Sequence, residues 1–437
     1  MVGSFRANPS DYLMSFPHLM PSFTPSAPLL NLRMSSLEEE ASPAPIMESA
    51  GSSSSTGQIV LVRGGALTPF SGLGGAHATL VEHHKDGRFP SLLLKEVMEY
   101  PVQSSAFARL RIRWSQHPKR VAGVCKRLLG PTDVLHITDQ EQAHLVPPRS
   151  SQRPKVVVTV HDVFHLFPYE QRIALTDGEA SLGTSVVAVG DQRPGMLRRR
   201  DLKKLKAGLA RADLLVCDSE HTRQRCEAAF PNVASMTVPL GLNMDAFAPG
   251  AGRDKNTVFT MLYVGSADPR KRLSFLERVL STCKADVLAN SVLHVVGDRS
   301  PEAHAMASSL KMEVVVHPRL DDQALMDLRH GADLLLFPSA AEGYGYPPIE
   351  AMAAGCPVLC SDLPAHNELM PAGSCLPAGD IATWREAVDA MYRTWDESKG
   401  WVPDQALMEH ARSFSSEVFV ERMNAAYDDV LNRPTPQ

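Results

Sequence analysis

The chain has 437 residues, 44% hydrophobic and 21% charged, with a formal net charge of −5. That length exceeds one ordinary core and points to two domains or more, while the mild acidity gives no reason to expect nucleic acid as a partner. Seven scattered cysteines without C-x-x-C spacing argue against a disulfide framework or a zinc site, and no apolar run is long enough to span a membrane. In chain order, residues 1–56 come first, rich in Pro, Ser and Met, with acids at 38–40 and a GSSSS run at 51–55. They are expected to be a disordered tail without a signal-peptide core, with Met14, Met20 and Met34 as alternative starts.

Ordered structure is expected to begin at "GQIVLVRGG". Short Val/Ile/Leu-rich runs follow at 133–139, 155–162, 213–219 and 235–241, with little polar alternation. Strands buried on both faces read this way, so a parallel sheet covered by helices is expected. After a polar break at 248–256, a second set occupies 257–266, 292–298, 313–318, 333–339 and 357–362. Two such blocks predict an α/β fold of two doubly wound Rossmann-like domains, 57–247 and 248–414, facing across a cleft. Residues 415–437 predict an amphipathic terminal helix that crosses back to the first domain.

In open α/β sheets ligands sit beyond the carboxyl ends of strands, so the residues there carry the information. A dinucleotide fingerprint starting at Gly72 would need glycine where His77 stands, which weakens a nicotinamide reading. Gly74 and Gly75 remain as a turn entering a helix, able to face an anion or serve as a plain tight turn. His161 and Asp162 end a buried strand, and His161 is a candidate polar or catalytic group. Gly265 and Ser266 end another, followed by Arg270 and Lys271, whose charges suit a diphosphate. Cations at a helix start oppose its dipole, so a compensating negative group is expected nearby.

The stretch "EGYGYPPIEAMAAG" sets Glu342, Gly343, Tyr344, Gly345 and Tyr346 ahead of a double proline. Residues before proline avoid the helical region, so the helix is expected to start at Pro348, with Pro347 as its N-cap and Glu350 at N3. Pro347 has no N–H, which would deny Glu350 a capping-box partner and leave it for mild dipole compensation or a ligand.

These residues closely resemble the retaining glycosyltransferases of family four, of GT-B architecture (glycosyl transferases group 1). The resemblance rests on Glu342, seven residues, then Glu350, and on "YVGSADPRK", "VVVTVHD", "RADLLVCDSEHTR" and "VPLGLNMDAFAPG", covering about 57–432. It implies that Glu350 holds the ribose hydroxyls of a nucleotide sugar and that Glu342 contacts the transferred sugar. Arg270 and Lys271 would neutralise the diphosphate, with Gly265, Ser266, Gly343, Tyr344, Gly345 and Tyr346 also lining the donor site. His161 would sit beside the sugar on the opposing domain, and Gly74 and Gly75 near phosphate and acceptor. Many members carry arginine where this chain has Ser266, and "FSW" where it has "FSS" at 414–416.

The implied activity is retaining transfer of a hexose, with a lean to mannose, from GDP-mannose or a UDP-sugar to a glycan, lipid-linked or small-molecule acceptor. No Asp-x-Asp occurs in the chain, so no metal and no further cofactor are expected. A non-catalytic nucleotide-sugar binder and a GT-B-type epimerase are the competing readings. Segment 193–211 holds eight basic residues against one acidic, with Leu202, Leu205 and Leu209 at helical spacing. It is expected either to pack on its own domain or to lie on anionic lipid, giving a cytoplasmic protein with peripheral contact at the inner face of a membrane.

Overall fold

The computed structural model describes residues 56–65, 72–101, 105–248, 254–297, 301–317, 320–398 and 401–434. The expected tail, the alternative start positions and parts of the 248–256 break therefore lie outside the described residues.

The first sheet is built from β1 (Gly57–Gly65), β2 (Leu92–Tyr100), β3 (Val134–Ile137), β4 (Lys155–Val160), β7 (Leu214–Cys217) and β8 (Ala234–Thr237). A hairpin, β5 (Tyr169–Asp177) and β6 (Ala180–Val189), interrupts it. The six strands run parallel in the order β2-β1-β3-β4-β7-β8. Every residue of β3, β4 and β7 is buried, because helices cover both faces and no side of these strands meets water.

Around the sheet lie α1 (Gly72–Lys85), α2 (Ala106–Arg111), α3 (His117–Leu128), α4 (Met196–Leu209) and α5 (Glu220–Ala229). Val60, Val62, Val156 and Val158 pack on one face with Val121 and Val124 of α3 and Leu202, Leu205 and Leu209 of α4. The leucine stripe of the basic segment is thus spent on its own core.

The second sheet, β9 (Phe259–Val264), β10 (Ser291–Val296), β11 (Glu313–His317), β12 (Leu334–Phe337) and β13 (Val358–Cys360), runs parallel in the order β11-β10-β9-β12-β13. Its order reverses between β9 and β12, which makes the crevice beyond those two strands the expected ligand site. Helices used below are α6 (Leu273–Leu280), α7 (Asp322–Gly331), α8 (Tyr346–Ala353), α9 (Ile381–Glu397) and α10 (Ser416–Asn432). Terminal helix α10 returns to the first sheet, where Phe419, Val420, Met423 and Tyr427 pack against Ile59, Leu61 and Val157. Tyr427 Oη also meets His136 Nδ1 at 2.8 Å and His84 Nε2 at 3.1 Å.

Two features had no counterpart among the expected strands. Edge strand β2 is only partly covered, so its sequence lacks the continuous apolar run of a central strand. The β5–β6 hairpin leaves the first sheet altogether. Ile173 and Val187 pack on Ala340 and Ala378, while Leu175 joins the core of the second sheet. Thr176 N–H donates to the Gly379 carbonyl at 3.0 Å, and Arg385 meets Asp177 at 3.1 Å. An alternating strand pair shows one apolar face, and here its partner lies some 200 residues further along.

Candidate active site

Beyond β9, Asp268 caps a short turn, Pro269–Lys271, by accepting the Arg270 N–H at 3.0 Å. Arg272 closes this turn in the left-handed region, φ 55°, a conformation that a non-glycine residue adopts only when held. It is held by burial and by its own guanidinium, which donates to the Ala378 carbonyl at 2.6 Å. Burial also lowers the Arg272 pKa to about 10.

The turn aims Arg270 and Lys271 across the β9/β12 crevice at Glu342. Arg270 Nη1 donates to Glu342 Oε2 at 2.8 Å and to the Ala341 carbonyl at 2.9 Å, and Lys271 Nζ reaches Glu342 Oε1 at 2.5 Å. Arg270 Nε also bonds Asp268 at 2.9 Å. The compensating negative group expected beside these cations is therefore Glu342 itself. Burial works against its charged form, yet Lys271 and Arg270 hold the carboxyl down at about 2. In this charge cluster Glu342 faces both cations, and Asp268 pairs with Arg270 from the side.

The double proline does not set the helix start where the sequence suggested. Helix α8 begins at Tyr346, two residues before Pro348, and its N-cap is Gly345 rather than Pro347. The first helical N–H groups have no partner in the helix, so prolines at the second and third positions lose nothing there. Gly345 supplies the entry with φ 126°, open to glycine alone. Glu350 consequently lies one turn inside the helix, and the argument from a missing N-cap N–H does not hold. Its partner is Arg329 of α7, with which it forms an ion pair. Burial raises the Glu350 pKa and Arg329 opposes that rise.

On the opposing domain, His161 follows β4 and is buried. Its Nδ1 donates to Asp218 Oδ2 at 2.6 Å and its Nε2 to the Thr138 carbonyl at 3.1 Å. A carbonyl only accepts, so Nε2 carries a proton, and the imidazole is cationic when Nδ1 also keeps the proton it shares with Asp218, whose own pKa burial raises. Burial opposes that charge, but Asp218, followed by Asp139, raises the pKa to about 9. Both nitrogens are thus engaged within its own domain, and His161 meets the second domain through its backbone. Asp218 keeps Oδ1 without a partner.

A raised folded pKa gives stability that is complete below the unfolded value of about 6.5 and is lost as pH rises through about 9. Melting temperatures from about pH 6 to about pH 10 should therefore fall across that window, by up to about 3 kcal/mol of stability. Asp218→Asn should flatten the fall. An unchanged slope would mean that the pair is not charged.

The two halves meet at the loop between Glu342 and Tyr346. The Gly343 carbonyl accepts from Ser219 Oγ at 2.6 Å and from Thr222 Oγ1 at 3.3 Å. A β-carbon at Gly343 would lie 2.1 Å from the His161 carbonyl oxygen, so the approach admits only glycine. Tyr344 is buried and donates to the Leu240 carbonyl at 2.7 Å, which makes it an anchor between the sheets rather than a lining residue. Tyr346 packs edge-on against it, with ring centres 5.6 Å apart.

Gly74 and Gly75 lie within the first turns of α1, which starts at Gly72, and not in a turn ahead of it. The start of α1 faces Tyr346, since a β-carbon on Gly72 would come 3.7 Å from that ring. Gly265 follows β9, its N–H bonded to the Val296 carbonyl at 2.9 Å, and Ser266 comes next.

The structure thus joins Arg270, Lys271 and Glu342 directly and sets Gly343 against His161, while Glu350 pairs separately with Arg329. Sequence reasoning assigned no role to Asp218, Ser219, Arg329 or Glu368. Asp218 and Ser219 directly follow a buried strand, a signal that could have found them. Glu368 caps α5 from the other domain, accepting the N–H groups of Glu220 and His221 at 2.5 and 2.7 Å, and no local pattern announces it. Among the described residues no group of three or more His, Cys, Asp or Glu side chains is arranged to hold a metal ion.

Residues 258–394, which carry the clamp and both glutamates, match the family model described as glycosyl transferases group 1. That part of the chain resembles the family. D-inositol 3-phosphate glycosyltransferase of Mycobacterium marinum is 26% identical over 206 residues, 43% of this chain and 43% of that protein. MMP alpha-(1->4)-mannosyltransferase of Mycolicibacterium hassiacum is 30% identical over 142 residues, 32% of this chain and 34% of that protein. The chain spans less than half the length of these curated relatives.

Among solved structures, Anabaena Alr3699/HepE in complex with UDP and glucose superposes with a TM-score of 0.58 at 14% identity, over 85% of this chain and 99% of that one. Sucrose-phosphate synthase from Thermosynechococcus elongatus gives 0.60 at 14% identity over the same shares. The fold is GT-B: two doubly wound α/β sheets with the terminal helix packed back on the first.

Proposed function

We propose that this protein is a retaining, metal-independent glycosyltransferase that moves a hexose from a nucleoside-diphosphate sugar to a glycan, lipid-linked or small-molecule acceptor in the cytoplasm. The observation that carries the reading is the Arg270–Glu342–Lys271 clamp at the switch point of the second sheet. A diphosphate offers these cations more charge and more acceptor oxygens than one carboxylate does. Donor binding then draws Arg270 and Lys271 onto the phosphates and releases Glu342 to the sugar hydroxyls. Glu350, paired with Arg329, accepts the ribose hydroxyls.

As the glycosidic bond breaks, negative charge grows on the leaving phosphate, where the clamp cations and the first turn of α8 stabilise it. The leaving phosphate takes the acceptor proton from the same face, which retains configuration. His161 is cationic, so it adds positive potential rather than acting as a base. The relatives' names support a transferase and lean the sugar toward mannose, while the UDP complex of a structural neighbour supports a nucleotide donor.

A thermal-shift panel of GDP-, UDP- and ADP-sugars tests the donor, because binding stabilises the fold by about 2.7 kcal/mol at a hundredfold excess over Kd. GDP-mannose or a UDP-sugar should raise the melting temperature and support transfer without added metal. If no nucleotide sugar does so, the donor assignment fails. Glu350→Ala should weaken donor affinity roughly tenfold to hundredfold, whereas Glu342→Ala should act mainly on turnover. Equal and negligible effects of both would refute the site.

A further inference from the structure

The basic segment has its leucines in the core, yet the surface around its first turn is unlike the rest of the molecule. Met196 and Leu197, at the start of α4, are 71% and 67% exposed, and Phe107 and Leu110 of α2 are 77% and 45% exposed. Among the described residues, Phe107, Met196 and Leu197 are three of the four most exposed large apolar side chains, and Leu110 is exposed beside Phe107 in sequence. They also belong to one surface.

The segment joining α2 to α3 packs directly on α4. Arg113 pairs with Asp201 at 3.1 Å, and Lys204 Nζ lies 4.2 Å from the centre of the Trp114 ring. Leu110 is one turn before Arg113, and Met196 and Leu197 about one turn before Asp201, so the four apolar groups lie within roughly 10–15 Å of that shared contact. Met196, Arg199, Arg200 and Lys203 follow helical spacing on the outer side of α4, and Arg111 lies one turn after Phe107 on α2. All of these cations are exposed. The acids within the surface, Glu141 and Asp201, are already neutralised by Arg198 and Arg113.

We propose that this surface of the first domain docks on an anionic lipid bilayer, with Phe107, Leu110, Met196 and Leu197 entering the interface and the arginines facing the headgroups. Charge complementarity selects that occupant: a protein of net charge −5 sets here the exposed cations Arg111, Arg199, Arg200 and Lys203 around side chains that water solvates poorly. A self-associating surface would set those same cations against one another about a symmetry axis. Large exposed aromatic and aliphatic groups ringed by Arg and Lys match the chemistry of a bilayer interface. The docking does not rest on the transfer reading, and its test uses no sugar donor.

The full-length protein is floated with phosphatidylcholine vesicles, with and without about one third phosphatidylglycerol. Binding should require the anionic lipid and should weaken as salt is raised. Arg199→Glu with Arg200→Glu should cut the partition coefficient at least about twentyfold, since each lost cation alone accounts for about fivefold. Phe107→Asp with Met196→Asp should abolish binding while leaving the melting temperature unchanged, because neither side chain is buried. Lys311→Glu, an exposed cation of the second domain, should have no effect.

Equal binding to neutral vesicles, no binding at all, or indifference to both double variants would overturn the proposal. So would a dimer in sedimentation equilibrium that the Phe107/Met196 variant dissolves, since the surface would then belong to a second copy.

Discussion

Arg270→Ala is expected to lower kcat/KM for sugar transfer by about a hundredfold or more. Removing one preorganised donor aimed at developing charge costs about that much on its own, and the alanine also removes a bidentate hold on the diphosphate. A second effect is separable because it needs no substrate. Glu342 is buried and shares its two oxygens between Arg270 and Lys271, so losing the arginine leaves a buried carboxylate half-paired. Breaking a buried pair from one side destabilises by about 3 kcal/mol, and the Glu342 pKa should rise from about 2. Arg270→Lys should restore the charge without the fork and recover only part of the activity. Steady-state kinetics with a donor series and chemical denaturation of the free protein read the two effects apart. A kcat/KM within about threefold of the parent would remove Arg270 from the proposed mechanism.

Gly343→Ala carries the second large effect, and its sign is diagnostic. At a glycine whose backbone suits alanine and whose surroundings are open, the change stabilises by about 0.4–1 kcal/mol through the unfolded chain. Here the added carbon would stand 2.1 Å from the His161 carbonyl and 2.9 Å from Asp162 Cβ, in a contact between the two sheets' loops. Backbone must move, so the loop shifts away and the bonds from Ser219 and Thr222 to the Gly343 carbonyl stretch. A displacement near 1 Å beside the reacting groups costs about a hundredfold in rate. The variant should therefore be both less stable and about a hundredfold slower, with a larger radius of gyration in solution scattering. Unchanged or raised stability together with full activity would show that the two loops do not approach in solution.

The positions of the clamp residues were legible because α/β sheets put ligands at strand ends, and a strand end can be read locally. Arg270, Lys271 and Glu342 each follow a buried apolar run, and the like charges of Arg270 and Lys271 raised the need for a counter-charge. That the counter-charge is Glu342 could not be read, since it depends on β9 and β12 lying side by side at the reversal of strand order. Glu350 shows the opposite case. The double proline argued for a free carboxylate, but the helix starts earlier than proline preferences suggested and Arg329 reaches it from α7. Arg329 stands 21 residues away, and no periodicity connects the two. His161 was legible as a polar strand end. Its charge was not, because that comes from Asp218 and Thr138, just beyond the neighbouring strands β7 and β3.

Sequence alone determined the elements that local physics controls. Short runs of Val, Ile and Leu without alternation suit central parallel strands, and two sets of them separated by a polar break suit two sheets. Tertiary structure decided everything that needs partners distant in the chain: the alternating β5–β6 strands as a strap on the second sheet, and the leucines of 193–211 as core. It also decided that the glutamates of "EGYGYPPIE" are each already held by cations. A segment's own pattern shows how much apolar surface and charge it must satisfy. Only packing shows against what.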